Sequence, residues 1–469
     1  MEPRGTHQRH RWGPCGFLAT LVIAGFLGAP DIQGAASEKK VRWRLVFEDQ
    51  FSGAALDRRR WRIEDTAPNK NNELEYYALD EVFVSNGCLV LRSRRREYGG
   101  REFTSGLVDT RGRVEVAFGR FEVRARLPGG QGIWPAIWML PAGGEWPPEI
   151  DIVELLGDRP RTVHMTVHWG HWPRVLSDGG QYSGPDFTSD FHVFRLDWLP
   201  GKVVWYVDGV PRFESSQFVP QRPMYLIINT AVGGDWPGEP DDTTAFPVMH
   251  LVDYVRVYMP EEAERSYLML SAANGWVDVS PFRFVFSKDE RVRLKAVPEI
   301  GYRFCGWSGD LAGGENPATV GMQSNRVIRA RFEKDPQGPI LLSRGAKVRA
   351  SSVEAEGLES RNAVDGDLQT RWSSSFSDRQ WIIVDLGRVR RVSDLKLVWE
   401  RAHADCYEIL ASVDGKQWRR IRRVVGSRGG TERFRNLDQR ARFIKLSCFK
   451  RATQWGYSLW ELGIYGKPE

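Results

Sequence analysis

Short stretches of alternating apolar and polar residues recur from Val41 to about Pro260. Val114 to Phe121, Val203 to Val207 and Val252 to Tyr258 are examples, and Gly, Pro and Asn-rich turns separate them. A period of two puts every second side chain on one face, as in a half-buried strand, and no stretch holds a helical period. The pattern predicts an antiparallel β-sandwich over residues 41–260, a normal size for one all-β domain. The charged stretch Glu261 to Ser266 reads as a linker. Strands and turns resume over residues 267–334, including GYRFCGWSGD at Gly301 to Asp310, and DPQGPI from Asp335 reads as a second linker. A third part follows over residues 341–467.

Ahead of the first strands, Arg4, Arg9 and Arg11 precede an apolar run from Phe17 to Ala29, and the small residues Gly34, Ala35 and Ala36 follow. This is the layout of a secretory signal peptide over residues 1–36. As a helix, the run covers only about 20 Å, short of the roughly 30 Å needed to span a bilayer. No later stretch is long and apolar enough to span one, so a secreted protein, extracellular or periplasmic, is expected. The chain of 469 residues fits about three domains. Its 41% hydrophobic and 27% charged residues are globular values. A net charge of +6 over this length gives no reason to expect nucleic-acid binding, although Lys and Arg outnumber Asp and Glu from Leu341 onward. Cys88, Cys305, Cys406 and Cys448 are too scattered for a disulfide scaffold, with a Cys406–Cys448 pair left open. The unusual count is 19 Trp, a residue suited to large β cores and to stacking on sugar rings.

The densest group of acids is EIDIVE, Glu149 to Glu154, preceded by IWPAIWMLP and followed by His164, His168, Trp169, His171 and Trp172. On a regular strand Glu149 and Asp151 share a face and Glu154 points away. One bulge residue, Ile152 or Val153, returns all three acids to the same face. Two Glu leaning inward from these positions leave carboxyls about 5 Å apart, the spacing of a retaining glycosidase. Asp151 between them holds negative charge and raises a neighbour's proton affinity. Ile150 and Ile152 suggest a packed back face, and three acids turned inward near Trp134, Trp138 and Trp146 are costly without a function. The three His do not converge on a strand as zinc ligands do on a helix, so His168 is expected as a polar neighbour of the acids.

From Val46 to Tyr258 the chain resembles the family 16 glycoside hydrolases, in their laminarinase-like endo-β-1,3-glucanase branch. VFEDQFSG, NNELEYY, TSGLVDT, GRFEVRARLP, GIWPAIWMLP, EIDIVE, TVHWG, FHVFRLDW, NTAVGGDWPG and VDYVRVY match in order. The resemblance implies a β-jelly-roll sandwich with a concave cleft, Glu149 as nucleophile, Glu154 as acid/base and Asp151 assisting. It implies sugar subsites lined by Trp134, Trp138 and Trp236. The six-residue ExDxxE form is that of the laminarinase branch rather than the lichenases. Glu75 stands where the family commonly has Gln, and Glu81 where Asn is usual.

Residues 268–332 resemble a small bacterial β-repeat, expected as a spacer or surface-interaction module because it offers no acid pair or ligand cluster. The C-terminal part is similar to coagulation factor 5/8 type C, or discoidin-like, domains through ASSVEAEG, NAVDGDLQTRW, QWIIVDLG, YEILASVDGKQW, ARFIKLSC and GYSLWELGIYG. That resemblance implies a second β-sandwich acting as a carbohydrate-binding module, with a structural calcium on Asp365, Asp367, Thr370 and Glu461. Trp372 and Trp381 are expected in its core, and Trp455 and Tyr457 on a sugar-stacking surface. The expectation is a secreted, monomeric, all-β enzyme needing no cofactor for catalysis, which cuts β-1,3-glucosidic bonds in laminarin-type β-glucan with retention. A galactan hydrolase of the agarase kind and a non-catalytic β-glucan-recognition protein are the alternatives. Removing the C-terminal part is expected to leave hydrolysis of soluble glucan nearly unchanged.

Overall fold

The computed structural model describes residues 41–467, apart from residues 69, 144, 145, 172, 173, 263 and 369 and the side chain of His171. The expected leader and Trp172 lie outside the described residues. Strands dominate, with two short 3-10 turns at Leu79–Glu81 and Ser360–Val364. Among the described residues no helix is long and apolar enough to cross a membrane.

The N-terminal half is a sandwich of two mainly antiparallel sheets, each with one parallel pair: Glu75–Tyr77 with Arg101–Ser105 in one, and Arg265–Ala272 with Arg326–Lys334 in the other. One has ten strands, including Gly119–Arg126, His192–Leu199, Lys202–Val207 and Val248–Glu261. The other has twelve, and in it Glu149–Leu155 lies between Ile133–Pro141 and Thr162–His171. Tight hairpins match the strand twist: Asn86 and Gly87, and likewise Asp208 and Gly209, take the paired positive φ of the two-residue turn. Between the sheets lies the core, where Trp61, Trp198 and Trp205 are fully buried with Phe121, Phe187 and Phe194. Alternation decides which side chains enter it. In Ile133–Pro141, Ile133, Ile137 and Met139 are fully buried, and the latter two join the inter-sheet core; Ala136 and Trp138 form a separate cluster with Tyr225 and Ile227.

The expected linker at 261–266 is not one. Val248–Glu261 runs into the start of that stretch, Ser266 is buried, and Arg265–Ala272 joins the acid-bearing sheet next to Glu115–Val116, with Leu270 opposite Glu115. The sheet then continues through Arg326–Lys334 into Tyr302–Gly309. Tyr267, Leu268, Phe284, Phe286 and Ile328 belong to the same hydrophobic core as Trp198 and Phe121. Shared strands and shared core bind the repeat to the sandwich as a rigid extension, since sliding one past the other exposes apolar surface and breaks a ladder.

The C-terminal part is a nine-stranded sandwich with its own core around Trp372, Trp399, Tyr407 and Tyr457. Trp372 is fully buried, its N–H on the Ser352 carbonyl, whereas Trp381 is half-buried beneath Lys445. Tyr457 does not face solvent as expected. It is fully buried and donates toward Asp378, because the segment just before Ser458–Gly466 is held by Ser374, whose hydroxyl accepts from the Tyr457 N–H at 2.8 Å, leaving Trp455 as the exposed aromatic of that loop. Cys406 and Cys448 are free thiols on paired strands, and Cys88 and Cys305 are free as well. The sandwich is tied to the repeat by Glu299, which accepts from Arg433 at 2.6 to 3.1 Å and meets Lys396 at 3.4 Å. These cations hold the Glu299 carboxyl at about 2 although its burial pushes the other way.

Candidate active site

The acid strand departs from regular pairing at one place. Toward Thr162–His171, Asp151 lies opposite Thr166 and Glu154 opposite His164, so three steps on one strand meet two on the other. Toward Ile133–Pro141, Val153 faces Ile137 and Asp151 faces Trp138, which singles out Ile152 as the extra residue. The bulge puts Ile150, Ile152, Val153 and Leu155 in the inter-sheet core and leaves Glu149, Asp151 and Glu154 on the opposite face. A bulge leaves ladder groups to be satisfied elsewhere. Trp205, fully buried in the facing sheet, donates its N–H to the Asp151 carbonyl at 2.8 Å and pins the strand there.

Each Glu takes a different indole. Trp134 donates to Glu154 Oε1 at 3.0 Å, and Trp146 to Glu149 Oε2 at 3.0 Å. His168 lies opposite Glu149 and brings Nε2 within 3.2 Å of Asp151 Oδ2 and 3.8 Å of Glu149 Oε1. Burial alone lowers the affinity of His168 for its proton, but Asp151, then Glu149 and Glu154, overcome this and push it up to about 9, so the ring is cationic. Burial and Asp151 push Glu149 up to about 7 against the opposing pull of His168, Lys70 and the Trp146 N–H. Burial, Asp151 and Glu149 push Glu154 well above the usual carboxylate range, with His168 and the Trp134 N–H opposing. Two carboxyls with separated proton affinities on one face are what acid/base chemistry needs: near neutral pH one is substantially ionised while the other keeps its proton.

The expected aromatic residues divide into floor and rim. Trp138 is buried, donates to Asn229 Oδ1 at 2.8 Å, and has Lys70 Nζ 4.3 Å from its ring centre. Asn229 in turn donates to the Tyr77 hydroxyl, so the floor is a bonded chain. Trp236 is 43% exposed and makes edge contacts with Trp134 and His164. His164 stays half-buried against that indole, its proton affinity lowered by burial, and takes no part in the acid cluster. Glu149, Asp151 and His168 are the group among the described residues whose donor atoms converge as metal ligands do, and their mutual ion pairs account for it.

Glu75 and Glu81 are buried beside the floor. Glu75 accepts from the Val232 N–H at 2.8 Å and is pushed up to about 8 by burial and by Glu73. Glu81 is tied to Arg92 and Arg94 at 2.7 Å and to Thr104. Three contributors were not assigned from sequence. Trp146, three residues before Glu149, was legible only as a neighbouring aromatic. Asn229 sits in the NTAVGGDWPG stretch without any cue to its partner, and Lys70 carries no local signal at all.

A family model described as "Glycosyl hydrolases family 16" matches residues 70–248. A "Beta-glucanase" of Rhodothermus marinus is 38% identical over 268 residues, covering 51% of this chain and 92% of that protein. The chain belongs to glycosyl hydrolase family 16. This family 16 chain is also 33% identical over 260 residues to "Glucan endo-1,3-beta-glucosidase A1" of Niallia circulans, covering 46% of itself and 37% of that longer protein. The catalytic domain of an endo-1,3-beta-glucanase (laminarinase) from Thermotoga petrophila RKU-1 is 41% identical, with 47% of this chain and all of that one covered at a TM-score of 0.45. Beyond the hydrolase part, a "Divergent InlB B-repeat domain" model matches residues 272–336 and an "F5/8 type C domain" model residues 347–462.

Proposed function

We propose that this family 16 enzyme is a secreted endo-hydrolase of β-1,3-glucosidic bonds in laminarin-type glucans, acting with retention. The observation that carries the reading is the pair Glu149 and Glu154, brought to one face by a single bulge and given separated proton affinities there. Ionised Glu149 attacks the anomeric carbon while protonated Glu154 gives its proton to the departing glycosidic oxygen. Glu154, now a carboxylate, takes a proton from water, and the resulting nucleophile breaks the glycosyl ester and returns Glu149 to its free form. Asp151 keeps His168 charged, and that charge opposes the mutual repulsion of the acids. Trp236, exposed beside Trp134, offers a ring for sugar stacking, and Trp138 forms the floor beneath. The names of the Rhodothermus and Niallia relatives support a β-glucan substrate, and the arginine-flanked apolar leader supports export.

The C-terminal sandwich is proposed to bind polysaccharide and to hold a calcium ion. Its Asp365, Gly366 and Thr370 form one turn: Thr370 donates to Asp365 Oδ2 at 2.6 Å, and the Gly366 N–H reaches Glu461 Oε2 at 3.1 Å. Glu461 Oε1 is buried without a protein partner, and burial lifts that carboxyl to about 7. Oxygen donors with one orphaned carboxylate oxygen fit a hard cation, with Asp367 completing the set.

The reading is tested by reducing-sugar release from laminarin, lichenan, curdlan, agarose and xylan. Laminarin and curdlan are the expected substrates, and cleavage of agarose in their place refutes the glucan assignment. Glu149→Gln is expected to abolish turnover. Glu154→Gln is expected to retain activity on an aryl glycoside whose leaving group needs little protonation, and equal losses on both substrates overturn the role assignment. NMR of the first products is expected to show the β-anomer.

A further inference from the structure

The C-terminal sandwich is held at two ends. Away from the acids, Glu299 of the repeat binds Arg433 and Lys396, and Arg435 donates to the Pro298 carbonyl at 2.6 Å. Trp276 of the repeat lies under Arg433, 4.9 Å from its ring centre. At its other end the sandwich reaches the hydrolase. The Arg401 guanidinium carbon stands 5.8 Å from the ring centre of Trp146, the indole that donates to Glu149. The calcium-type turn approaches as well. The Tyr76 phenol is pushed up first by burial and then by Asp65, Tyr98 and Asp367, the last of these contributed by the C-terminal sandwich.

The two turns making these approaches are stitched to each other. The Glu400 N–H takes the Ser458 carbonyl at 3.0 Å, the Ser458 N–H takes the Ala402 carbonyl at 2.7 Å, and Arg371 bonds the Ser458 hydroxyl at 2.9 Å. Arg401 is therefore carried on a braced turn of a sandwich whose far end is fixed to a repeat that shares a sheet and a core with the hydrolase. Trp146, by contrast, is 40% exposed, beside a turn of Ala, Gly and Pro residues. An exposed indole needs something to fix its orientation if its N–H is to stay on a carboxylate, and a guanidinium over the ring is such a restraint.

We propose that the C-terminal sandwich forms part of the active-site rim, and that Arg401 is a positioning residue for the nucleophile, holding through Trp146 the N–H that bonds Glu149. The inference rests on the proposed role of Glu149. It replaces the expectation that the C-terminal part is a tethered binding module with no bearing on soluble substrate. Arg401 acts on the carboxylate only through the indole. The groups facing Glu149 directly are Asp151, His168, Lys70, Trp146 and, across the bulge, Glu154.

The test uses the full chain and a soluble oligosaccharide from whichever polysaccharide the wild type cleaves, so failure on laminarin refutes the glucan reading without touching this one. Arg401→Ala is expected to lower kcat by about two- to fivefold at slightly acidic pH, the size of one lost exposed cation–aromatic contact. KM should change little, and the acidic limb of the pH profile should move upward, since weakening the Trp146 bond raises Glu149. Arg401→Lys is expected to restore most of the rate. In a Trp146→Phe background, Arg401→Ala is expected to have no further effect, because both changes remove the same restraint. An unchanged kcat and limb, or full additivity with Trp146→Phe at an unaltered melting temperature, overturns the proposal. A turnover-independent readout is a full chain with a protease site inserted within residues 335–339. After cleavage the C-terminal fragment is expected to co-elute with the rest, and to separate when Glu299→Ala and Arg401→Ala are combined. Separation without those changes refutes the docked arrangement.

Discussion

Replacing His168 by Gln removes an imidazolium from the middle of the acid cluster while keeping a polar side chain of similar reach. Unit charges 3.8 Å apart, the separation of His168 from Glu149, interact by about 4 kcal/mol at an effective dielectric of about 20. The ring is 28% exposed, so solvent screens part of this. Taking about half leaves roughly 2 kcal/mol, equivalent to about 1.5 pH units on a carboxyl that now sits at about 7. The nucleophile must be ionised, so raising its affinity for the proton moves the acidic limb of kcat/KM to higher pH. At pH 6 its ionised fraction falls from about one in ten to about one in 300, a loss of roughly 30-fold. Glu154 rises too, without penalty, because it acts protonated. As pH increases the deficit shrinks, and near pH 9, where His168 of the wild type itself loses its proton, the two enzymes should converge. The assay is kcat/KM on a soluble oligosaccharide from about pH 5 to about pH 9, alongside a melting curve at each pH. A profile lowered by the same factor at every pH, with its limb unmoved, would refute the electrostatic argument and assign His168 a steric role.

Deleting Ile152 should make the pairing regular, because Asp151 faces Trp138 and Val153 faces the next residue, Ile137; Glu149, Asp151 and Glu154 then alternate strictly and should stay on one face. Detectable residual turnover is the expected result, and complete loss of turnover at an unaltered melting temperature would show that Ile152 is not the residue in excess. Glu461 is lifted above its usual range in the folded chain, so the stability it contributes is full below pH 4.5 and is lost as pH rises through about 7. Calcium should cancel that loss, so melting temperatures in calcium and in chelator should diverge as pH increases, and identical curves at all pH values would remove the calcium assignment. Trp372→Ala should cost about 3–5 kcal/mol, read as a lower denaturant midpoint for the C-terminal sandwich, because it empties the centre of that core. A shift below about 1 kcal/mol would mean the site collapses without a cavity.

The docked arrangement bears on how such chains act on substrate. A binding module on a flexible tether raises local enzyme concentration and leaves chemistry alone. Here Glu299, the shared sheet and the contact of Arg401 with Trp146 restrain the C-terminal sandwich, so on the proposal above a change at Arg401 reaches Glu149 through that indole.

Much of this protein is written in local pattern. The period-two runs dictate strands, because only a strand puts alternate residues on opposite faces. The EIDIVE stretch dictates a bulge, because without one Glu154 falls on the core face, and ordered motifs from VFEDQFSG to VDYVRVY place the hydrolase family. What tertiary structure decided is everything that depends on partners distant in the chain. Both ends of the expected linker at 261–266 are strand, because Glu261 pairs with Arg42, and Arg265 and Ser266 with Ser287 and Phe286, partners that local composition does not display. Tyr457 reads as a surface aromatic but is buried, since its segment is held against the sandwich by Ser374, a partner distant in the chain. The separation of Glu149 from Glu154 in proton affinity needs His168, Lys70 and two indoles at specified distances, and pKa is set by those distances. The approach of Arg401 to Trp146 joins residues far apart in the chain through three mutually braced units, and no local rule anticipates it.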